Sequence, residues 1–126
     1  MQPGQKSILV VNDEKEMLDQ INRWLVIAKY AVKCTLTAEE GIELFSKNNF
    51  DLILIDYHLK EEKSGAKTAR SFIPLFKNIN PSIPIIIISA TEPSLNKDEL
   101  DVAAVFIVRS TLWKNLPLIV NQVLQN

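Results

Sequence analysis

Four short aliphatic runs, ILVV at 8–11, LILI at 52–55, IIII at 85–88 and VFIV at 105–108, limit what this chain can fold into more than any other feature. Each has the length of a strand, is rich in β-branched residues and is apolar at consecutive positions. That is the pattern of parallel strands covered on both faces. A fifth segment, VKCTL at 32–36, alternates apolar and polar residues, as expected of an edge strand with one wetter face. Helical spacing fills the intervals. Leu18, Ile21, Leu25 and Ala28 make one stripe, and Thr37 with Glu40 reads as a capping box opening a helix that turns Ile42 and Phe45 inward. A third helix is expected over 66–77, kinked or shortened by Pro74. A short fourth helix with a weak apolar face is expected within 93–103. A final helix carries Leu116, Val120, Val123 and Leu124, with Pro117 tolerable in its first turn. The alternation of strand and helix, five times over, predicts right-handed crossovers, a parallel sheet and helices on both faces.

The chain has 126 residues, enough for one domain and no room for a second, expected to span 1–126 with its core at about 6–125. Fourteen Lys and Arg stand against 15 Asp and Glu with no basic block, which argues against direct nucleic-acid binding. The single Cys34 offers neither a disulfide nor a zinc cluster, and fits a reducing compartment. Cys34 itself reads as edge-strand or core packing, with no cation to activate it. Residues 1–7 lack the apolar stretch of a secretory signal, and no run is long enough to cross a bilayer. The expectation is a cytoplasmic protein without membrane contact.

The informative residues follow the buried runs. The first is followed by Asn12, Asp13 and Glu14, the second by Asp56, the third by Ser89, and the fourth by Arg109 and Ser110. In an open parallel sheet the ligand crevice lies outside the carboxyl ends of the strands, where strand order reverses. In the doubly wound order 2-1-3-4-5, the first and third strands are neighbours at that point, so Asp13 and Asp56 converge with Ser89 and Arg109 beside them. Two close carboxylates repel unless a proton or cation lies between them, and hard oxygen ligands suit Mg2+, which keeps waters and accepts a phosphate oxygen. A carboxylate can also serve as a nucleophile toward phosphorus, which makes Asp56 the candidate phosphoacceptor.

These positions, NDE at 12–14, DLILIDYHL at 51–59, IIISA at 86–90 and VFIVR at 105–109, resemble the receiver domain of two-component response regulators, the CheY-like family. The resemblance also supplies the 2-1-3-4-5 order of a flavodoxin-like (βα)5 sandwich. It implies that Asp56 accepts a phosphoryl group from a histidine kinase or histidine phosphotransfer protein. Asp13 and Asp56 would then bind Mg2+ by their side chains, His58 by its backbone carbonyl and Asn12 through a water. Ser89 takes the hydroxyl position that follows the phosphoryl group, Phe106 the aromatic switch position and Arg109 the position of the family's lysine. The region 95–124 becomes the output surface toward a downstream protein, with a homodimer on activation as one form of output. Such a chain is a signalling receiver whose only catalysis is its own phosphorylation and dephosphorylation.

Several residues depart from the family pattern. Asn12 replaces the first acidic residue, which predicts weaker Mg2+ binding. Arg109 replaces a compact ammonium with a larger planar fork. Ser110 stands where the family has proline, which predicts a trans loop into the last helix. Glu61, Glu62 and Lys63 read as a solvated loop, one residue longer than usual, with His58 exposed beside it. Together Asn12, Arg109 and Ser110 keep open a pseudo-receiver that binds partners without phosphorylation. A flavin protein on the same topology is disfavoured, because the acidic first loop would repel the flavin phosphate.

Overall fold

The computed structural model describes residues 4–56, 58–61, 65–89 and 105–125. Its elements are β1 (Ser7–Val11), α1 (Lys15–Ile27), β2 (Ala31–Thr35), α2 (Ala38–Lys47), β3 (Leu52–Asp56), β4 (His58–Glu61), β5 (Gly65–Thr68), α3 (Ala69–Ile79), β6 (Ile85–Ser89), β7 (Val105–Val108) and α4 (Arg109–Gln125). Five strands form one parallel sheet in the order β2-β1-β3-β6-β7, which is the expected 2-1-3-4-5 order once an inserted hairpin is counted.

Consecutive apolar positions are explained by what covers the sheet. Leu9, Val11, Ile53, Ile55, Ile85 and Ile87 face a core built with Ala38 and Phe45 of α2 and Phe72 and Phe76 of α3. Ile8, Val10, Leu52, Leu54, Ile86 and Ile88 face the other core, with Met17, Leu18, Ile21 and Leu25 of α1 and Leu116 and Val120 of α4. Each fully buried aliphatic side chain contributes about 1.5–3 kcal/mol, and both faces of every central strand contribute. No helix among the described residues is long and apolar enough to cross a membrane.

Helix ends are set locally. The Thr37 side chain accepts the Glu40 N–H at 3.2 Å, as the capping pattern predicts. α1 closes in a Schellman arrangement: the Tyr30 N–H donates to the Leu25 carbonyl and the Lys29 N–H to that of Val26, both at 3.0 Å. This puts Lys29 at φ 76°, a conformation that favours glycine. Within α2, Gly41 permits close approach to the sheet, since a Cβ there would stand 2.8 Å from Val11 Cγ2 and 3.2 Å from Thr35 Oγ1. At the other end of the strands, Asp51 Oδ2 accepts the Ser7 N–H and the Asp51 N–H donates to the Ser7 carbonyl, both at 2.8 Å, fastening β1 to the start of β3.

Several expectations are corrected. Residues 66–68, assigned to the third helix, belong to β5, which pairs antiparallel with β4 as a two-stranded sheet. His58 begins a strand and Glu61 ends it, where a plain loop was expected, while Glu62 and Lys63 lie outside the described residues. Pro74 does not shorten α3, which continues to Ile79. Burial of Phe72, Ile73 and Phe76 outweighs the hydrogen bond that proline removes. Pro117 lies well inside α4 instead of in its first turn, because the helix starts at Arg109, immediately after β7. For the same reason there is no loop at Ser110, which is already helical. The helix expected within 93–103 lies outside the described residues.

Candidate functional site

The register of the sheet determines which residues meet at its carboxyl edge. Val11 is level with Ile55 and Asp56 with Ile88, so Asn12, Asp56 and Ile88 stand abreast across three strands. The Asn12 N–H donates to the Thr35 carbonyl at 3.1 Å, which carries the ladder one residue past the end of β1. Ser89 pairs with Val108 one step further out, and Arg109 follows as the first residue of α4. Phe106 is level with Ile87, one step below Asp56. His58 opens β4, two residues after Asp56. By backbone position, the strand ends thus bring together Asn12, Asp13, Asp56, Ser89 and Arg109. The side chains of His58, Ser89, Phe106 and Arg109, and the roles expected of them, lie outside the described residues.

Burial separates the remaining groups. Asp56 is 5% exposed and Asn12 1%, whereas Asp13 is half-buried and Glu14 reaches solvent. A carboxylate withdrawn this far must be compensated by donors or by a cation. Counting outward from Leu52 and Leu54, the two-residue period puts Asp56 on the α1 side of the sheet. Asn12 falls on the same side, in step with Ile8 and Val10. The Asn12 Oδ1 accepts the Glu14 N–H at 2.9 Å, and Leu18 N–H then donates to the Glu14 carbonyl at 2.9 Å as a first helical bond. Asn12 therefore orders the entry to α1 from two residues upstream, while Glu14 at the N-cap makes no side-chain capping bond.

The donor set fits a hard cation, since Asp13 and Asp56 present oxygen alone. Among the described residues no three His, Cys, Asp or Glu side chains gather to hold a metal. A cation here would take two carboxylates and complete its shell from backbone, water or a phosphate oxygen. One contact was not foreseen: Asn12 Nδ2 donates to Met17 Sδ at 3.0 Å. The only sequence signal for it is a methionine five residues after the asparagine, in a helix already read as a packing stripe. A groove of about 530 Å³, lined by Phe45, Lys47, Asn48, Phe50, Ile79 and Asn80, lies at the opposite end of the strands and touches none of these residues.

Known proteins resemble the chain in sequence and in shape. A rice (Oryza sativa subsp. japonica) two-component response regulator, ORR27, is 28% identical over 92 residues, covering 71% of this chain and 14% of that protein. An uncharacterized transcriptional regulatory protein of Bacillus subtilis, YcbL, is 24% identical over 89 residues, covering 71% of this chain and 37% of that one. The chain thus spans well under half the length of either relative. Among solved structures, the CheY-like receiver domain protein of Methanospirillum hungatei superposes with a TM-score of 0.86 at 22% identity, covering 97% of this chain and 95% of that one. The response regulator TrrA of Thermotoga maritima, in complex with Mg2+-BeF, does so at 0.82 with 20% identity, covering 94% and 99%. The sequence model of the response regulator receiver domain matches residues 8–109, from the first strand to the arginine that opens α4. With that match spanning most of the chain, the chain belongs to the receiver domain family of two-component response regulators.

Proposed function

We propose that this receiver is a phosphorylatable switch in which Asp56 takes a phosphoryl group from a histidine kinase or a histidine phosphotransfer protein, with Mg2+ held by Asp13 and Asp56. The observation that carries the reading is the Asp56 carboxylate, 5% exposed, as the last residue of the strand at the centre of the sheet. Open α/β sheets hold their chemistry at that edge. An Asp56 oxygen attacks the phosphorus of a phosphohistidine; the P–O bond forms as the P–N bond breaks, and the imidazole nitrogen leaves with the bonding pair and a proton from solvent. Mg2+ supplies compensation for the charge on the transferring group. In this reading the His58 carbonyl and a water on Asn12 would complete the shell of the ion, Ser89 would donate to a phosphoryl oxygen and Arg109 would contribute the cation. Phe106 follows the change, and the surface at 95–124 passes it, in the cytoplasm, to a downstream protein or a second copy. The Mg2+-BeF complex of the Thermotoga relative supports the choice of metal.

The test is intact-mass spectrometry after incubation with acetyl phosphate or phosphoramidate, with and without Mg2+, on the wild type and on Asp56→Asn. The expected result is a metal-dependent gain of one phosphoryl group that the variant loses. A folded protein with no adduct and no response to beryllofluoride selects the second reading, a partner-binding module independent of phosphorylation. That reading is favoured by one observation, the engagement of both polar atoms of Asn12 by the protein itself.

A further inference from the structure

Asn12 is 1% exposed, and its carboxamide is bound at both ends, Oδ1 by the Glu14 N–H at 2.9 Å and Nδ2 to Met17 Sδ at 3.0 Å. The first bond fixes the sense of the second. Only the oxygen can face an N–H donor, so the amino group must face the sulfur. Met17, in the first turn of α1 and 6% exposed, belongs to the apolar core between that helix and the sheet. Its thioether is a weak acceptor with nothing to donate. A carboxylate at position 12 would keep the bond from Glu14, but its second oxygen would meet the sulfur lone pairs where little water reaches to screen it.

We infer that Met17 is a positioning residue of the site: its thioether accepts from Nδ2 and holds the Asn12 carboxamide in a single orientation, and it disfavours a carboxylate at position 12, beside the two that the strand ends present, Asp13 and Asp56. The inference rests on the reading that these two hold Mg2+. Its consequence is a site that binds the ion more weakly than a three-carboxylate one, with an occupancy that follows the free Mg2+ concentration.

The experiment has two arms, both on the intact chain, using Met17→Leu as a volume-conserving variant. In the first, without metal, 15N NMR follows hydrogen exchange of the Asn12 Nδ2 protons. Exchange is expected to be at least about tenfold faster in Met17→Leu than in the wild type, and equal rates would overturn the inference. In the second, calorimetry measures the Mg2+ dissociation constant across a double-mutant cycle. Asn12→Asp is expected to tighten binding about threefold or less in the wild type and about tenfold or more beside Met17→Leu. The same gain in both backgrounds would overturn the inference. Absence of Mg2+ binding in every variant overturns the receiver reading instead, and the metal-free exchange rates then still decide the role of Met17.

Discussion

At Cys34, on the edge strand β2, exposure and reactivity part company. The residue reaches solvent, yet its thiol is pushed up to about 11, first by partial burial and then by the negative charge of Asp19. With the thiolate as the reactive form, only about one thiol in a thousand is ionised at pH 8. Alkylation by iodoacetamide should therefore rise about tenfold per pH unit through pH 8–10, and Asp19→Asn should speed it at pH 8. A rate that levels off near pH 8.5 would show that neither influence reaches the sulfur. The strand-end residues were open to reading because a buried run that stops at a carboxylate marks its own end, as at Asp56. The contact between Asn12 and Met17 was not, since it depends on the angle at which α1 leaves the sheet. No local pattern records that angle.

The elements follow the same division. α2 was legible because its signals are local, a threonine cap and an inward Phe45, and both are where the pattern put them. The β4–β5 hairpin was not, because HLKE and GAKT lack a clean two-residue alternation and a charge run stands between them. The positions of both internal prolines were set by burial further along α3 and by the early start of α4, not by the prolines. The end of α1 carries a prediction. Lys29 occupies a left-handed conformation that costs a side-chain-bearing residue about 1 kcal/mol or more, while its carbonyl accepts from Gln5 Nε2 whatever the side chain. Lys29→Gly should raise stability by about 0.5–1 kcal/mol, read as a higher urea midpoint with an unchanged slope. A lower midpoint would mean that the lysine side chain contributes more than its backbone loses.

At the scale of the molecule, one sheet serves two cores. Every central strand points alternate residues into each, so a void on one face weakens a strand that the other face also needs. Leu54→Ala, on the α1 side, should cost about 2–5 kcal/mol. Its unfolding should still be a single transition, with Trp24 fluorescence, which reports that side once Trp113 is replaced by Phe, coinciding with far-ultraviolet circular dichroism. A fluorescence transition that runs ahead of the dichroism would mean that the two cores melt separately. The hairpin stands apart from this shared framework: two residues after Asp56 the chain enters β4, and β4 and β5 pair with each other while the five-stranded sheet keeps its own register. Length and sequence can therefore drift there without moving a rung of the main ladder. The segment that follows Asp56 can change in this way while the strand that presents the aspartate stays fixed.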